Sequence, residues 1–573
     1  MNDIRRTILW VIFGFSMVLL WDQWQVHNGH KATFFPTPTT ASSSKEVPAI
    51  AASSTATNNA GVPSAVASAS SMTLPLADAA SSKAKEYVDV QSDVLKLRFD
   101  TEGATVSRVE FLEHADVNHV GKNVVLLDDS KDRIYLAQTG LIGSATSDAL
   151  PTHKTQMTVH PGVRSLQKDA SEISVTFESP VQNGVKLLKT YTLKRGAYDV
   201  AVKHEIVNVG QQDVAPQLYF QLVRDGNKPT GESSFYSTFT GPAVYTEAKK
   251  YQKVEFADIK KKKVDVEKQS LNGYIAMVQH YFFSAWILPD GLNRNISLDA
   301  VDIGSSVADC CYRATLIAPL DTIKAGDTKT VAATFYVGPQ EEKKLEAVYP
   351  GLELVKDYGW LTIMAKPLYW LLDKLNHFLG NWGWSIVALV VLLKAGFYWL
   401  NAHAYRSMAK MKAVNPRIME MRERLKDNPQ QMQMEMMKIY REEKVNPMGG
   451  CLPIAIQIPV FIALYWVLLS TVEMRNAPWI GWIHDLAAPD PFFILPLTMT
   501  ATTMLQTALN PAPPDPMQAK MMWIMPLAFS VMFFFFPAGL VLYWITNNVL
   551  SIVQQWVINT RMGVPPQFNL PKF

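Results

Sequence analysis

Apolar positions along this chain follow two rhythms. From about residue 87 the period is two: Leu95, Leu97 and Phe99 alternate with polar neighbours, as do Ile173, Val175 and Phe177, and then Val200 and Val202. Turn-forming pairs punctuate these runs at Glu102-Gly103, Asn183-Gly184, Arg195-Gly196 and Asp225-Gly226. Alternation between such turns predicts antiparallel sheet, and about 250 residues of it make one large sandwich-type domain.

Beyond residue 366 the rhythm changes. Leu368, Leu371, Leu372, Leu375, Phe378 and Leu379 recur at helical spacing, while Lys366, Asp373, Lys374 and His377 take the other side. This predicts an amphipathic helix, lying either in a membrane interface or against the β domain; the span that follows at once favours the interface. Trp384–Leu400 is apolar except for Lys394, and Cys451–Ser470, Pro491–Pro514 and Met521–Thr560 carry no charge. A single helix over Met521–Thr560 would be roughly 60 Å long, about twice the hydrocarbon core of a bilayer. Two spans are therefore expected, broken at Phe536-Pro537-Ala538-Gly539, where Pro and Gly permit a tight turn.

Near the N-terminus Arg5 and Arg6 precede the charge-free run Thr7–Trp21. No small-residue cleavage site follows, so an uncleaved anchor is expected, with a cleaved signal as the alternative. Residues 36–86, rich in Ala, Ser, Thr and Pro, cannot bury enough apolar area to offset their ordering entropy and read as a flexible tether. The expected division is an anchor over 1–26, the tether over 27–86, the β domain over 87–345, and a linker with the amphipathic helix over 346–381. A transmembrane segment over 382–401, a helical hairpin over 402–448, four more spans over 449–560 and a tail over 561–573 complete it.

Charge sets the orientation. Residues 401–450 hold ten Lys and Arg against six acids, whereas residues 471–490 hold Arg475 against Glu473, Asp485 and Asp490. The positive-inside bias puts 401–450 in the cytoplasm and 471–490 outside. Counting spans from Arg5-Arg6 gives the same topology: both termini cytoplasmic and 27–365 outside. The net charge of +3 gives no global basic excess that would point to nucleic acid. The cysteines, Cys310, Cys311 and Cys451, form no CxxC pair. Adjacent cysteines rarely bond to each other, so no disulfide is expected. The lysines at 249, 250, 253 and 260–263 read as a solvated hairpin. A phosphate loop, HExxH and GxSxG are all missing, so nothing resembles an enzyme and no cofactor is called for.

Lys394 is the most informative side chain, being the sole Lys, Arg, Asp or Glu between Lys374 and Arg406. An intramembrane cation costs several kcal/mol and marks a functional site by default; the plain alternative is a side chain that snorkels to the cytoplasmic interface. Gln457, Gln506, Tyr543, Thr546 and Asn547 are mid-span polar groups that either line a polar cavity or hold helices together. In the 402–448 hairpin, Met408, Met411, Ile418, Met421 and Leu425 form one apolar stripe and Met432, Met436 and Tyr440 another, with Asp427-Asn428-Pro429 as the turn. Such methionines suit a surface that receives varied apolar helices, or the stripes pack on each other.

Val445-Asn446-Pro447-Met448-Gly449-Gly450-Cys451, then Pro453, Gln457 and Pro459, Trp482-Ile483-His484-Asp485-Leu486, Asp515-Pro516-Met517-Gln518, and Phe536-Pro537-Ala538-Gly539-Leu540-Val541-Leu542-Tyr543 stand in one ordered set. That set resembles the YidC/Oxa/Alb family of membrane protein insertases, in its Gram-negative form. The resemblance implies a multi-span α-helical membrane protein of the bacterial inner membrane: an N-terminal anchor, a five-helix core enclosing a hydrophilic groove, and an all-β periplasmic supersandwich similar to galactose mutarotases. It places a basic groove residue, usually arginine, at Lys394. Lysine keeps the charge but loses the planar fork that binds carboxylates bidentately. The implied partners are nascent membrane proteins, the Sec translocon, the ribosome and lipid, with the hairpin receiving substrates. A solute transporter is the alternative, but no internal repeat is visible. A scaffold anchoring a glycan-binding domain is a third reading.

Overall fold

The computed structural model describes residues 86–561 apart from 117–118, 120, 144–149, 230–237, 426–427, 444–451 and 511–515, together with 563 and 568. The expected anchor, the tether and nearly all of the C-terminal tail lie outside the described residues. The chain divides into two compact units, one ending at Lys356 and the other beginning at Asp357.

The first unit is a sandwich of two antiparallel sheets. One sheet runs from Tyr87–Gln91 through Leu95–Asp100, Thr105–Ala115, Ile134–Ile142, Gln217–Arg224, Tyr312–Pro319 and Arg294–Ala300 to Gln269–Ser270. The other runs from Lys250–Lys253 through Gly241–Thr246, Tyr274–Val278, Phe282–Ile287, Thr328–Pro339, Asp199–Asn208, Val185–Lys194 and Glu172–Glu178 to Thr158–Val159. The period-two reading holds at its named positions: Leu95, Leu97, Phe99, Ile173, Val175, Phe177, Val200 and Val202 are all buried. At Asn183-Gly184 both residues have positive φ, 47° and 75°, and Gln182 bridges Val185. Asn-Gly adopts this mirror-image turn readily, and its twist matches that of the strands it joins. Two short helices, α1 (Phe256–Lys260) and α2 (Glu342–Val348), accompany the sheets. The basic cluster is partly ion-paired, with Lys249 2.7 Å from Asp265 and Lys260 paired with Asp309. Cys310 and Cys311 are joined by a disulfide, a pairing the sequence reading did not expect.

The second unit is helical: α3 (Thr362–Leu379), α4 (Trp382–Gly396), α5 (Tyr398–Arg424), α6 (Pro429–Glu442), α7 (Leu452–Ser470), α8 (Ile494–Leu509), α9 (Pro516–Ser530) and α10 (Ala538–Arg561). The amphipathic helix α3 buries Ala365, Tyr369 and Leu372 in the core of its own unit, where Leu368, Leu371 and Leu375 also pack. Tyr369 donates to Glu473 at 2.7 Å. Trp370 and Phe378 face outward, the latter 92 % exposed. Asn381 caps α4 by accepting from the Trp384 amide at 3.1 Å, which satisfies one of the free N–H groups of a helix start.

Among the described residues no single helix is long and apolar enough to cross a membrane; α4 and the start of α5 pass together, bent by 65°. The bend follows Gly396, a residue with little helix preference. The chain also breaks at Phe536-Pro537, the expected position, between a 3-10 turn at Val531–Phe535 and α10.

Candidate functional site

Two adjoining pockets sit among α4, α5, α7, α8 and α10. The first is lined by Lys394, Asn401, Gln457, Tyr543 and Asn547 within a wall of Val390, Leu393, Phe397, Leu400 and Val460. The second, larger, shares Asn401, Gln457, Tyr543 and Asn547 and adds Tyr405, Thr503, Gln506, Asn510, Asn548 and Ser551. Among the described residues neither lining contains a carboxylate.

Lys394 sits two residues before the end of α4 and is only 7 % exposed. Its Nζ donates to the Ser551 hydroxyl at 2.7 Å, so the side chain is turned onto α10 inside the bundle. Gln457 of α7 donates through Nε2 to Asn547 Oδ1 at 2.8 Å. Tyr543 stacks on Phe461 at 6.0 Å between ring centres. These contacts tie α7 to α10 at pocket level through polar atoms, which an apolar surrounding would otherwise penalise.

Of the six groove candidates, Lys394, Gln457, Tyr543 and Asn547 come together in the first pocket, and Gln506 lines the second. Thr546 lines neither; its hydroxyl donates to the Leu542 carbonyl one turn back, at 2.9 Å. In the hairpin, α6 starts at Asn428, whose side chain accepts from the Gln431 amide at 3.3 Å, with Pro429 in the first turn. Met411, Met421, Met432 and Met436 meet between α5 and α6 around Val414, Ile418 and Ile439, so these stripes pack on each other. The Met408 side chain lies outside the described residues. Arg417 pairs with Glu442 at 3.1 Å and Glu443 at 2.8 Å, and Arg424 with Glu435 at 3.3 Å. Met419, Met434 and Met437 point away from this core and are exposed.

Residues 87–371 match the family model described as the YidC periplasmic domain, and residues 374–564 match the 60Kd inner membrane protein model. The chain is 52 % identical to the membrane protein insertase YidC of Cupriavidus necator over 98 % of both chains. It is 50 % identical to that of Bordetella pertussis over the same shares. The chain belongs to the YidC family. A solved active YidC insertase is similar at 18 % identity and a TM-score of 0.39, over 82 % of this chain and 92 % of that one. A galactose mutarotase related enzyme from Lactobacillus acidophilus has a TM-score of 0.31 over 44 % of this chain.

In this YidC-family chain the sequence reading missed Asn401, Tyr405, Thr503, Asn510, Asn548 and Ser551. One signal was present. Asn547, Ser551, Gln555 and Asn559 recur every four residues along a charge-free segment, which puts them on one face of a helix. Ser551, Gln555 and Asn559 are buried, Asn548 donates to Thr503 at 2.9 Å, and Gln555 donates to Asn510 at 3.3 Å. Asn401 and Tyr405 stand at or past the expected end of the transmembrane segment, where polar residues drew no attention.

Proposed function

We propose that the chain is a membrane protein insertase of the bacterial inner membrane, working through the polar pockets around Lys394. The relatives that match it end to end carry that name. The observation that carries the mechanism is a buried ammonium at a pocket wall with no carboxylate among the described lining residues. A carboxylate on a substrate segment entering the slot would be the first opposite charge the ammonium meets, and charge-assisted hydrogen bonds are the strong ones. The apolar part of the substrate then passes into lipid. No nucleotide is needed, because burying about 20 apolar residues is itself downhill.

In this reading α4 with the start of α5, then α7, α8, α9 and α10 span the bilayer, and an N-terminal anchor makes six spans. α3 lies in the outer interface with Trp370 and Phe378 toward lipid. The α5–α6 hairpin is cytoplasmic and the β unit periplasmic. Both termini are cytoplasmic. Substrates are nascent membrane proteins, received at the hairpin from the ribosome and passed on alone or together with the Sec translocon.

The test is reconstitution of the purified full chain in liposomes with a single-span substrate, scored by protease protection. Insertion above protein-free liposomes without nucleotide is expected. Failure across several substrates, with solute uptake in the same vesicles, would replace this reading with a transporter.

A further inference from the structure

The Ser551 hydroxyl stands where three helices meet. It donates its own proton to the Asn547 carbonyl one turn back, at 2.7 Å. Both acceptor positions of a hydroxyl then remain. Lys394 Nζ of α4 takes one at 2.7 Å, and Tyr405 of α5 lines the same pocket as Ser551. One turn on, Gln554 donates to the Lys394 carbonyl at 3.4 Å, so α10 holds both the backbone and the head of this lysine. Ser551 is 3 % exposed.

A lysine side chain has four rotatable bonds and a compact charge with no preferred direction. Its head goes where a partner holds it. Among the described residues that partner is the Ser551 hydroxyl.

We propose that Ser551 is a positioning residue for the groove cation: it holds the Lys394 ammonium against α10 and so fixes where along the pocket an acidic substrate segment is captured. This rests on the reading of Lys394 as the group that attracts such segments. A hydroxyl is suited to the task because it accepts from an ammonium without neutralising it. A carboxylate at 551 would compete with the substrate for the same charge.

The experiment uses the full chain in proteoliposomes with two single-span substrates. They differ only in carrying either Asp and Glu or Asn and Gln in the translocated segment. Both are inserted by the same vesicles, and the readout is the ratio of acidic to neutral insertion, in which a general loss of activity or folding divides out. Wild type is expected to favour the acidic substrate, and K394M to bring the ratio to one. S551V should lower the ratio roughly fivefold, the size of one typical net hydrogen bond. S551T, which restores the hydroxyl at the volume of valine, should recover it. A ratio unchanged in S551V, with K394M still abolishing it, overturns the role of Ser551 and leaves that of Lys394 standing. So does a loss in S551V that S551T fails to recover, which would trace to packing. No preference in wild type, or a preference that survives K394M, removes the Lys394 reading and this proposal with it.

Discussion

Gln457 Nε2 donates to Asn547 Oδ1 at 2.8 Å, joining α7 to α10 at the wall of both pockets. Replacing either amide strands the other in an apolar surrounding, whereas replacing both removes the mismatch. Q457L and N547L are each expected to lower the thermal stability of the purified protein. The double variant should be less destabilised than the sum, with a coupling of about 1 kcal/mol. Strict additivity in a thermal-unfolding series would mean that the bond contributes nothing to the bundle.

Lys394 gives the prediction closest to function. K394A removes the charge and is expected to cut insertion of substrates with acidic translocated tails on the order of tenfold, the size of a charge-assisted pair. K394R keeps the charge and adds a second parallel donor, so it should match or exceed wild type on those substrates. In vivo or liposome insertion assays with a set of tails graded in charge decide it. Normal insertion of acidic tails by K394A would leave the lysine a structural contact of Ser551 and no more.

How much of this was legible in the sequence depended on the surroundings of each residue. Val185–Lys194 alternates buried and half-buried positions along its length, so period two could be read from it. Gln217–Arg224, Tyr274–Val278 and Phe282–Ile287 are buried at every position. A strand covered on both faces has no alternation to find. Lys394 stood out because it is a lone charge in an apolar run. Ser551 did not, because a serine in a helix normally satisfies itself on the preceding turn. Ser551 does so, on Asn547, and it is the lysine from another helix that gives it a further role. That pairing across 157 positions is set by tertiary packing and has no local signature.

The hairpin offers a test of its own core. Ile418 is 1 % exposed between α5 and α6, beside Met421 and Ile439. I418A should cost about 2–4 kcal/mol through lost transfer energy and the cavity left behind. Four buried residues make a small core, so the hairpin should open well before the rest of the helical unit. Limited trypsin digestion would then cut within 398–442, where Lys and Arg are plentiful, while the remaining helices stay protected. M419S, on the exposed face, should leave the digestion pattern unchanged. Equal protection in I418A and wild type would show that the hairpin is held by something other than its apolar seam.

The β unit should be stabilised by alkali, and Lys189 gives the reason. Its Nζ is fully buried between the sheets and donates to the carbonyls of Gly103 and Thr139, each at 2.7 Å. Burial pulls its pKa down to about 7. The unfolded chain keeps this proton up to the ordinary lysine value near 10.4. Between those two limits the unfolded state binds more protons, so stability rises with pH, by at most about 1.4 kcal/mol per unit. A second window lies lower. Burial, with the nearby Lys189 charge adding to it, lowers His153 to about 3, so stability also falls with acid from about pH 6.5 to about pH 3. Tyr135, pushed up to about 12 by burial, acts in the opposite sense above about pH 10. The clean interval for Lys189 therefore runs from about pH 7.5 to about pH 9.5. Urea midpoints of a fragment spanning 86–356 should climb across it in wild type and stay flat in K189M, which keeps the chain length without the titrating group. A K189M midpoint that climbs as steeply as wild type would assign the effect to another group, and the buried lysine would then be held neutral, or paired, in the unfolded chain as well.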